Sequence, residues 1–183
     1  HVPDINDFVS GFAALLKPQG VATFEFPHLL RLMDEVQFDT IYHEHFSYLS
    51  LSAVLRIFNG NGLQAFDVQE IPTHGGSLRV FAQRQDTGEH AVDASIDLLV
   101  RREITAGLCT PDVYAGFQVR AERIKNDFVG FLIGAKREGK KVAAYGGAAK
   151  GNTLMNFSGI RPDLISYVVD KNPSKQGKFM PGS

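Results

Sequence analysis

The chain has 183 residues, 44% hydrophobic and 21% charged, with 19 Lys plus Arg against 20 Asp plus Glu for a formal charge of -1. That length and apolar content suffice for one real core or two modest ones in an ordinary soluble protein. So even a charge balance leaves no electrostatic footprint for nucleic acid or an anionic membrane, no apolar run approaches a membrane span, and no basic-then-apolar leader opens the chain, so a cytoplasmic protein without such partners is expected.

Ile5, Phe8, Val9, Phe12, Leu15 and Leu16 recur at helical spacing and predict an amphipathic helix over 4–16, stopped by Pro18 and Gly20. Residues 21–26 read as a buried strand ended by Pro27, and 29–36 as a short helix. A helix over 52–58, stopped by Gly60 and Gly62, leads to strands over 63–71 and 77–83, whose short connection predicts antiparallel pairing. After a polar connector at 85–89, helical patterns cover 91–106 and 111–137, with Pro111 suited to a first turn. A strand over 140–145, a helix over 148–157 and a strand over 165–170 then form a strand-helix-strand unit, the opening of a second α/β sheet. The single Cys109 excludes an internal disulfide, agrees with a reducing compartment and has no nearby His to activate it, so an inert thiol is expected. The start on His1 and the Pro-Gly-Ser end read as a piece of something longer.

Tyr42-His43-Glu44-His45-Phe46 gathers a phenol, two imidazoles and a carboxylate in consecutive positions shortly beyond the end of strand 21–26. Imidazole and carboxylate together move a proton near neutral pH, and a phenol can hydrogen-bond an oxygen that becomes negative, a combination suited to proton removal next to a carbonyl. The alternative is a loop of solvated polar side chains, against which stand the flanking Phe38, Ile41, Phe46, Tyr48 and Leu49. His43 and His45 with His1 or Glu44 are zinc ligands by type, but the spacing lacks a helical His-Glu-x-x-His pattern and no metal is expected. His28 and His90 are expected to be surface or capping residues.

Gly146-Gly147-Ala148-Ala149-Lys150-Gly151-Asn152-Thr153 lies between a strand and a helix, where backbone amides can approach an anion. Asn152 stands where a Walker loop needs Lys, and the dinucleotide fingerprint lacks its middle glycine although Asp170 ends the next strand. A phosphate contact and a plain tight turn both remain open; Lys150, a cation at a helix start, opposes the helix dipole and points toward an anionic ligand. In His74-Gly75-Gly76-Ser77-Leu78-Arg79 the glycines fit a turn, while His74 and Arg79 remain candidate substrate contacts.

Taken in order, His1-Val2-Pro3-Asp4, Phe24-Glu25-Phe26-Pro27, Phe38 to Phe46, His74 to Val80 and Tyr145 to Asn152 resemble the S-adenosylmethionine-dependent sugar C-methyltransferases, enzymes that methylate a carbon of a nucleotide-linked 4-keto deoxysugar. The resemblance covers nearly the whole chain but begins near the end of the fourth strand of the methyltransferase fold. It implies an α/β protein: the C-terminal half of a class I methyltransferase (Rossmann-like) sheet over 1–86, a helical connector over 87–139, and the start of a second Rossmann-like α/β domain over 140–183, with substrate between the two sheets. His45 matches the general base, Tyr42 and Glu44 the residues that position the sugar and stabilise its enolate, and His1 a histidine facing the same pocket; His43 has no assigned role. His74, Arg79, Gly146, Lys150 and Asn152 are the candidate nucleotide-sugar contacts. Most of the S-adenosylmethionine site is expected outside residues 1–183, and the fragment is expected to be inactive alone and prone to self-association through a strand edge. The rival reading is a non-catalytic nucleotide-sugar or dinucleotide-binding module built on the 140–170 unit.

Overall fold

Alternating burial along the first strand decides which face of the sheet carries the core. The computed structural model describes residues 1–182, and the chain divides into two compact units, residues 1–37 with 44–116 and residues 38–43 with 117–183. The first contains α1 (Ile5–Leu15), β1 (Val21–Pro27), α2 (Leu29–Asp34), α3 (Leu51–Gly60), β2 (Leu63–Ile71), β3 (Ser77–Arg84), α4 (Ala94–Thr105) and the single turn α5 (Asp112–Ala115). The second contains α6 (Phe117–Arg137), β4 (Ala144–Tyr145), α7 (Ala149–Phe157) and β5 (Val168–Val169). The architecture is α/β, with a small antiparallel sheet and helices. No helix among the described residues is long and apolar enough to cross a membrane.

The three-stranded sheet has the order β1-β3-β2, with β3 antiparallel to both neighbours. Strand β1 is half-buried and not fully buried as its composition suggests: Ala22, Phe24 and Phe26 turn inward, while Val21, Thr23 and Glu25 face out. Opposite them in register stand Ala82, Val80 and Leu78 of β3, all fully buried. This is the pattern of an antiparallel sheet covered on one face. In β2 the inward residues change parity, from Leu63 and Ala65 to Val68, because Phe66 is an extra residue in a bulge between Ala65 and Asp67. Without the bulge a period of two would send Val68 to the outer face. The displaced Phe66 backbone carbonyl accepts the Asp93 amide at 2.7 Å, and Asp67 accepts the Ser95 hydroxyl at 2.8 Å, so the bulge also docks the start of α4.

Helices α1, α3 and α4 supply Val9, Leu51, Val54, Phe58, Ile96 and Leu99 to the core, with Phe12, Phe24 and Phe58 in an aromatic chain at centroid spacings of 4.7 and 4.8 Å. Asp4 caps α1 by accepting the Asn6 and Asp7 amides, Ser50 caps α3 through Ala53, and Asp93 caps α4 through Ser95. Helix α2 ends two residues earlier than its apolar pattern suggests. The Gln37 amide reaches back to the Leu32 carbonyl at 2.9 Å, and Val36 takes the left-handed conformation (φ 52°) that closes this turn. A β-branched residue there is strained by about 1–3 kcal/mol.

In the second unit α6 packs Leu132 against Ile160 and Ile165, and Phe38 meets Phe157 of α7 at 5.0 Å. Gly116 breaks the long helix expected over 111–137 into α5 and α6. The parallel pair β4-β5 has only two rungs, Ala144 with Val168 and Tyr145 with Val169, shorter than the strands expected over 140–145 and 165–170. Apolar composition invites a strand, but each of these segments meets only one neighbour, and only over two residues.

Gln83, 1% exposed, donates to the His90 carbonyl and accepts the His90 amide, both at 2.8 Å, which folds the 85–90 turn against β3. A Cβ at Gly88 would run into the Gln83 side chain. Gly88→Ala is therefore expected to cost about 1–3 kcal/mol, the usual range for overpacking, read as a lower midpoint in thermal unfolding; an unchanged midpoint would show that Gln83 moves aside freely.

Candidate active site

The chain enters the titratable segment from α2 and leaves it at the start of α3. Phe38, Thr40, Tyr42 and His43 belong to the second unit, whereas Glu44 and His45 belong to the first. Phe38 and Thr40 are buried, Tyr42 and His45 half-buried, and His43 and Glu44 exposed. Ile41 and Phe46 are also exposed, at 46% and 58%, so the flanking apolar residues cover the segment only in part.

In the first unit three of the expected residues gather. His1 Nδ1 lies 3.9 Å from Glu44 Oε2, and the His1 ring meets the His45 ring edge-on at 5.0 Å. The Tyr48 ring stands 6.3 Å from His45, also edge-on, a neighbour that the sequence reading did not single out as chemical. Imidazole, carboxylate and phenol within one small volume can take, hold and pass on a proton. Among the described residues no three His, Cys, Asp or Glu side chains are grouped to hold a metal ion.

The remaining candidates lie apart from this group in the chain and are engaged in ways the structure makes plain. Arg79 stands directly across from Glu25 in the β1-β3 register, and its guanidinium holds the Glu25 carboxyl below the ordinary carboxylate value through a 3.0 Å hydrogen bond. His74 is exposed with φ 56°, beside Gly75 and Gly76 at φ 86° and 110°. The Arg31 side chain packs on Gly76 and the Gln37 amide on Gly75, where any Cβ would collide with them. The glycines therefore serve the turn, and Arg31, Glu35, Glu70 and Ser77 join them around an open cavity of about 460 Å³ that none of His1, Tyr42, Glu44 or His45 lines.

In the second unit Gly146 (φ 100°) opens the turn into α7, where Lys150 is half-buried in the first helical turn. Asp170 accepts the Asn172 and Gly147 amides at 2.7 Å each, and those bonds lower its pKa. Its carboxylate thus braces its own loop. Among the described residues the Asn152 Oδ1 atom is buried with no hydrogen-bond partner.

One expectation is corrected outright. His28 is neither a surface residue nor a side-chain cap: it is 1% exposed, in the N-cap position of α2 without a capping bond, and its Nε2 lies 2.8 Å from Glu103 Oε1. Glu103, fully buried, accepts the Leu51 amide on the same oxygen at 2.6 Å, and the Ser52 amide and hydroxyl on the other at 2.8 and 2.6 Å. A signal for this was present in the sequence. Glu103 follows Ile96 and Leu99 at helical spacing on the buried face of α4, where a lone carboxylate needs partners.

Burial pushes the Glu103 pKa up, but the hydrogen bonds from His28, Ser52 and Leu51 outweigh it and hold the carboxyl below its ordinary value. A depressed folded pKa contributes stability that is complete above the unfolded value, about 4.3, and is lost as pH falls through the folded value. The stability gap between the parent protein and Glu103→Gln should thus be about 1–3 kcal/mol at pH 7, the cost of unsatisfied buried donors, and shrink below pH ~4. Urea unfolding at pH 7 and pH 3 measures it; a gap that widens in acid contradicts the ionised assignment.

The chain belongs to the C-methyltransferase family: the model of the C-methyltransferase C-terminal domain matches residues 72–183. The chain is also similar to the C-methyltransferase NovU of Streptomyces niveus, 37% identical over 183 residues, which is all of this chain and 43% of the relative. It thus spans less than half the length of that curated relative.

Proposed function

We propose that this chain is the part of an S-adenosylmethionine-dependent C-methyltransferase that carries the proton-abstracting base, acting on the carbon next to the ketone of a nucleotide-linked 4-keto deoxysugar. The observation that carries the reading is the half-buried His45 imidazole with the His1 ring edge-on at 5.0 Å and Glu44 at 3.9 Å from His1. Family membership and the NovU likeness support the reaction class. The sheet order β1-β3-β2, with its central antiparallel strand, is what the last three strands of a class I methyltransferase sheet require and supports that finer fold reading.

The residues present do not fit the methyl donor. The glycine turn 146–151 is the strand-to-helix turn nearest in pattern to a nucleotide loop, and its acid, Asp170, is committed to the Gly147 and Asn172 amides. When bound, the donor supplies an electrophilic sulfonium methyl; the role of this chain is to prepare the nucleophile. A ketone α-proton is far less acidic than an imidazolium, so donors aimed at the developing enolate oxygen must contribute several kcal/mol. His45 takes the proton, the C–H electron pair enters the enolate, and the phenol of Tyr42, two residues before Glu44 in the chain, is the donor proposed for the enolate oxygen. Glu44 and His1 orient the base and carry the proton onward to water. A binding module built on the β4-α7-β5 unit alone would have no use for this histidine-carboxylate group.

In the complete enzyme His45→Gln should lower turnover by about 10²- to 10⁴-fold while affinity for the nucleotide-sugar changes little, as loss of a general base does. Steady-state kinetics decide the matter, and near-normal turnover would assign the base elsewhere.

Lys150 and the unpartnered Asn152 carbonyl in the second unit are proposed as contacts of the nucleotide-sugar, the ammonium to its diphosphate. Lys150→Ala should weaken substrate binding by about 1–3 kcal/mol, the range for a lost charged hydrogen bond, and leave the chemical step less affected. Titration calorimetry at low and high salt checks this; normal affinity with a lower melting temperature would make the turn structural.

A further inference from the structure

We infer that Glu103, with His28, is the positioning pair of the active-site loop, holding the His45 segment in register through the backbone and not through substrate; this rests on the reading of His45 as the base. Residues 29–50 connect His28, just after β1, to the start of α3 at Leu51. A single carboxylate oxygen, Glu103 Oε1, joins both ends: it meets His28 Nε2 at 2.8 Å and the Leu51 amide at 2.6 Å. The Leu29 amide adds a second closure on the Leu49 carbonyl at 2.9 Å. Between Glu44 and Tyr48 the backbone is neither helix nor strand, so the fixed ends at His28, Leu49 and Leu51 act on the path of the His45 segment together with the His1 and Tyr48 rings that meet His45. Leu49 is four residues from His45.

The chemistry of the pair fits positioning better than helix stability. Each Glu103 oxygen accepts one main-chain amide, from Leu51 and from Ser52, and the remaining sites face the Ser52 hydroxyl and His28 Nε2; hydrogen bonds hold the carboxyl below its ordinary value, and against the carboxylate His28 Nε2 is the donor. Ser50 already caps α3 through the Ala53 amide at 3.1 Å, so the helix has a cap without a carboxylate from α4. A buried ion held by hydrogen bonds adds little net stability because its desolvation consumes most of the gain. Moreover, Nδ1 of His28 is buried with no partner, a further cost. What the arrangement secures is a fixed distance between two segments distant in sequence. A base displaced by about 1 Å can lose about 10²-fold in rate.

The test compares Glu103→Gln, His28→Gln, Ser52→Ala and His45→Gln in the complete enzyme, at a temperature where circular dichroism shows each to be folded. Turnover, KM and hydrogen–deuterium exchange of the amides at 44–50 are measured. Glu103→Gln should lower kcat about 10- to 100-fold with KM within about threefold, and speed exchange of those amides; Ser52→Ala, which removes one of the four bonds, should act in the same direction with a smaller amplitude. A folded Glu103→Gln with kcat within twofold of the parent overturns the inference, whether or not exchange rises. If Glu103→Gln does not fold, His28→Gln and Ser52→Ala decide: unchanged kcat in both overturns it. Full activity in His45→Gln would refute the base assignment instead, and exchange alone then judges the anchoring, with unchanged protection at 44–50 counting against it.

Discussion

A single buried carboxylate organises the first unit. Glu103 reaches from α4 to the start of α3 and to the residue before α2, so three helices that share no sequence neighbourhood meet on two oxygen atoms. An ionised group without water is tolerable only when every lone pair is met, and here the amides of the first turn of α3 meet it along the favourable end of that helix's dipole. The geometry is consequently stringent: moving α4 by an ångström would strand a charge. Glu103 is fully buried, which excludes the solvent that would otherwise make the bonds interchangeable.

The sheet supplies the frame on which this carboxylate acts. Its apolar face needs helices over it, and the Phe66 bulge both restores the inward phase of β2 and offers the carbonyl that receives the start of α4. The position of Glu103, ten residues after Asp93, is thus tied to a backbone irregularity in β2 through the Asp93 amide and the pitch of one helix. Exposed ion pairs act differently. Glu70 is gripped by Arg102, and by Arg31 at 3.2 Å, and Glu25 by Arg79, at exposures where solvent screens most of the attraction.

Exposure also bears on the proposed chemistry. The side chains of His1 and Glu44 are 66% and 58% exposed, so in the absence of substrate they sit largely in water, where an imidazole is a poor match for a ketone α-proton. In the proposed reaction the sugar itself is the cover. Its arrival excludes water from the His1, Glu44 and His45 group and strengthens each hydrogen bond made to the developing enolate.

Local chemistry made much of this chain legible in advance. The helical spacing of α1, the antiparallel pair β2-β3 and the density of titratable groups at Tyr42 to His45 follow from periods of 3.6 and 2 and from residue type, which are properties of neighbours in sequence. The expectation that Glu44 and His45 share a site rested on their close spacing, whereas His1 was joined to them only through family likeness, since Glu44 lies 43 positions further along the chain. What the sequence did not disclose depends on partners far along the chain. The half-burial of β1 needed β3 beside it, the two-rung strands β4 and β5 were limited by how little of each other they meet, and the left-handed turn at Val36 runs against its own propensity. His28 looked like a surface histidine because nothing near it is its partner; Glu103, in another helix, is. A buried charge leaves only a faint mark in sequence, a carboxylate on an apolar stripe, and only the tertiary structure decides which donors satisfy it, since hydrogen bonds of that kind are specified by position in space and not by order in the chain.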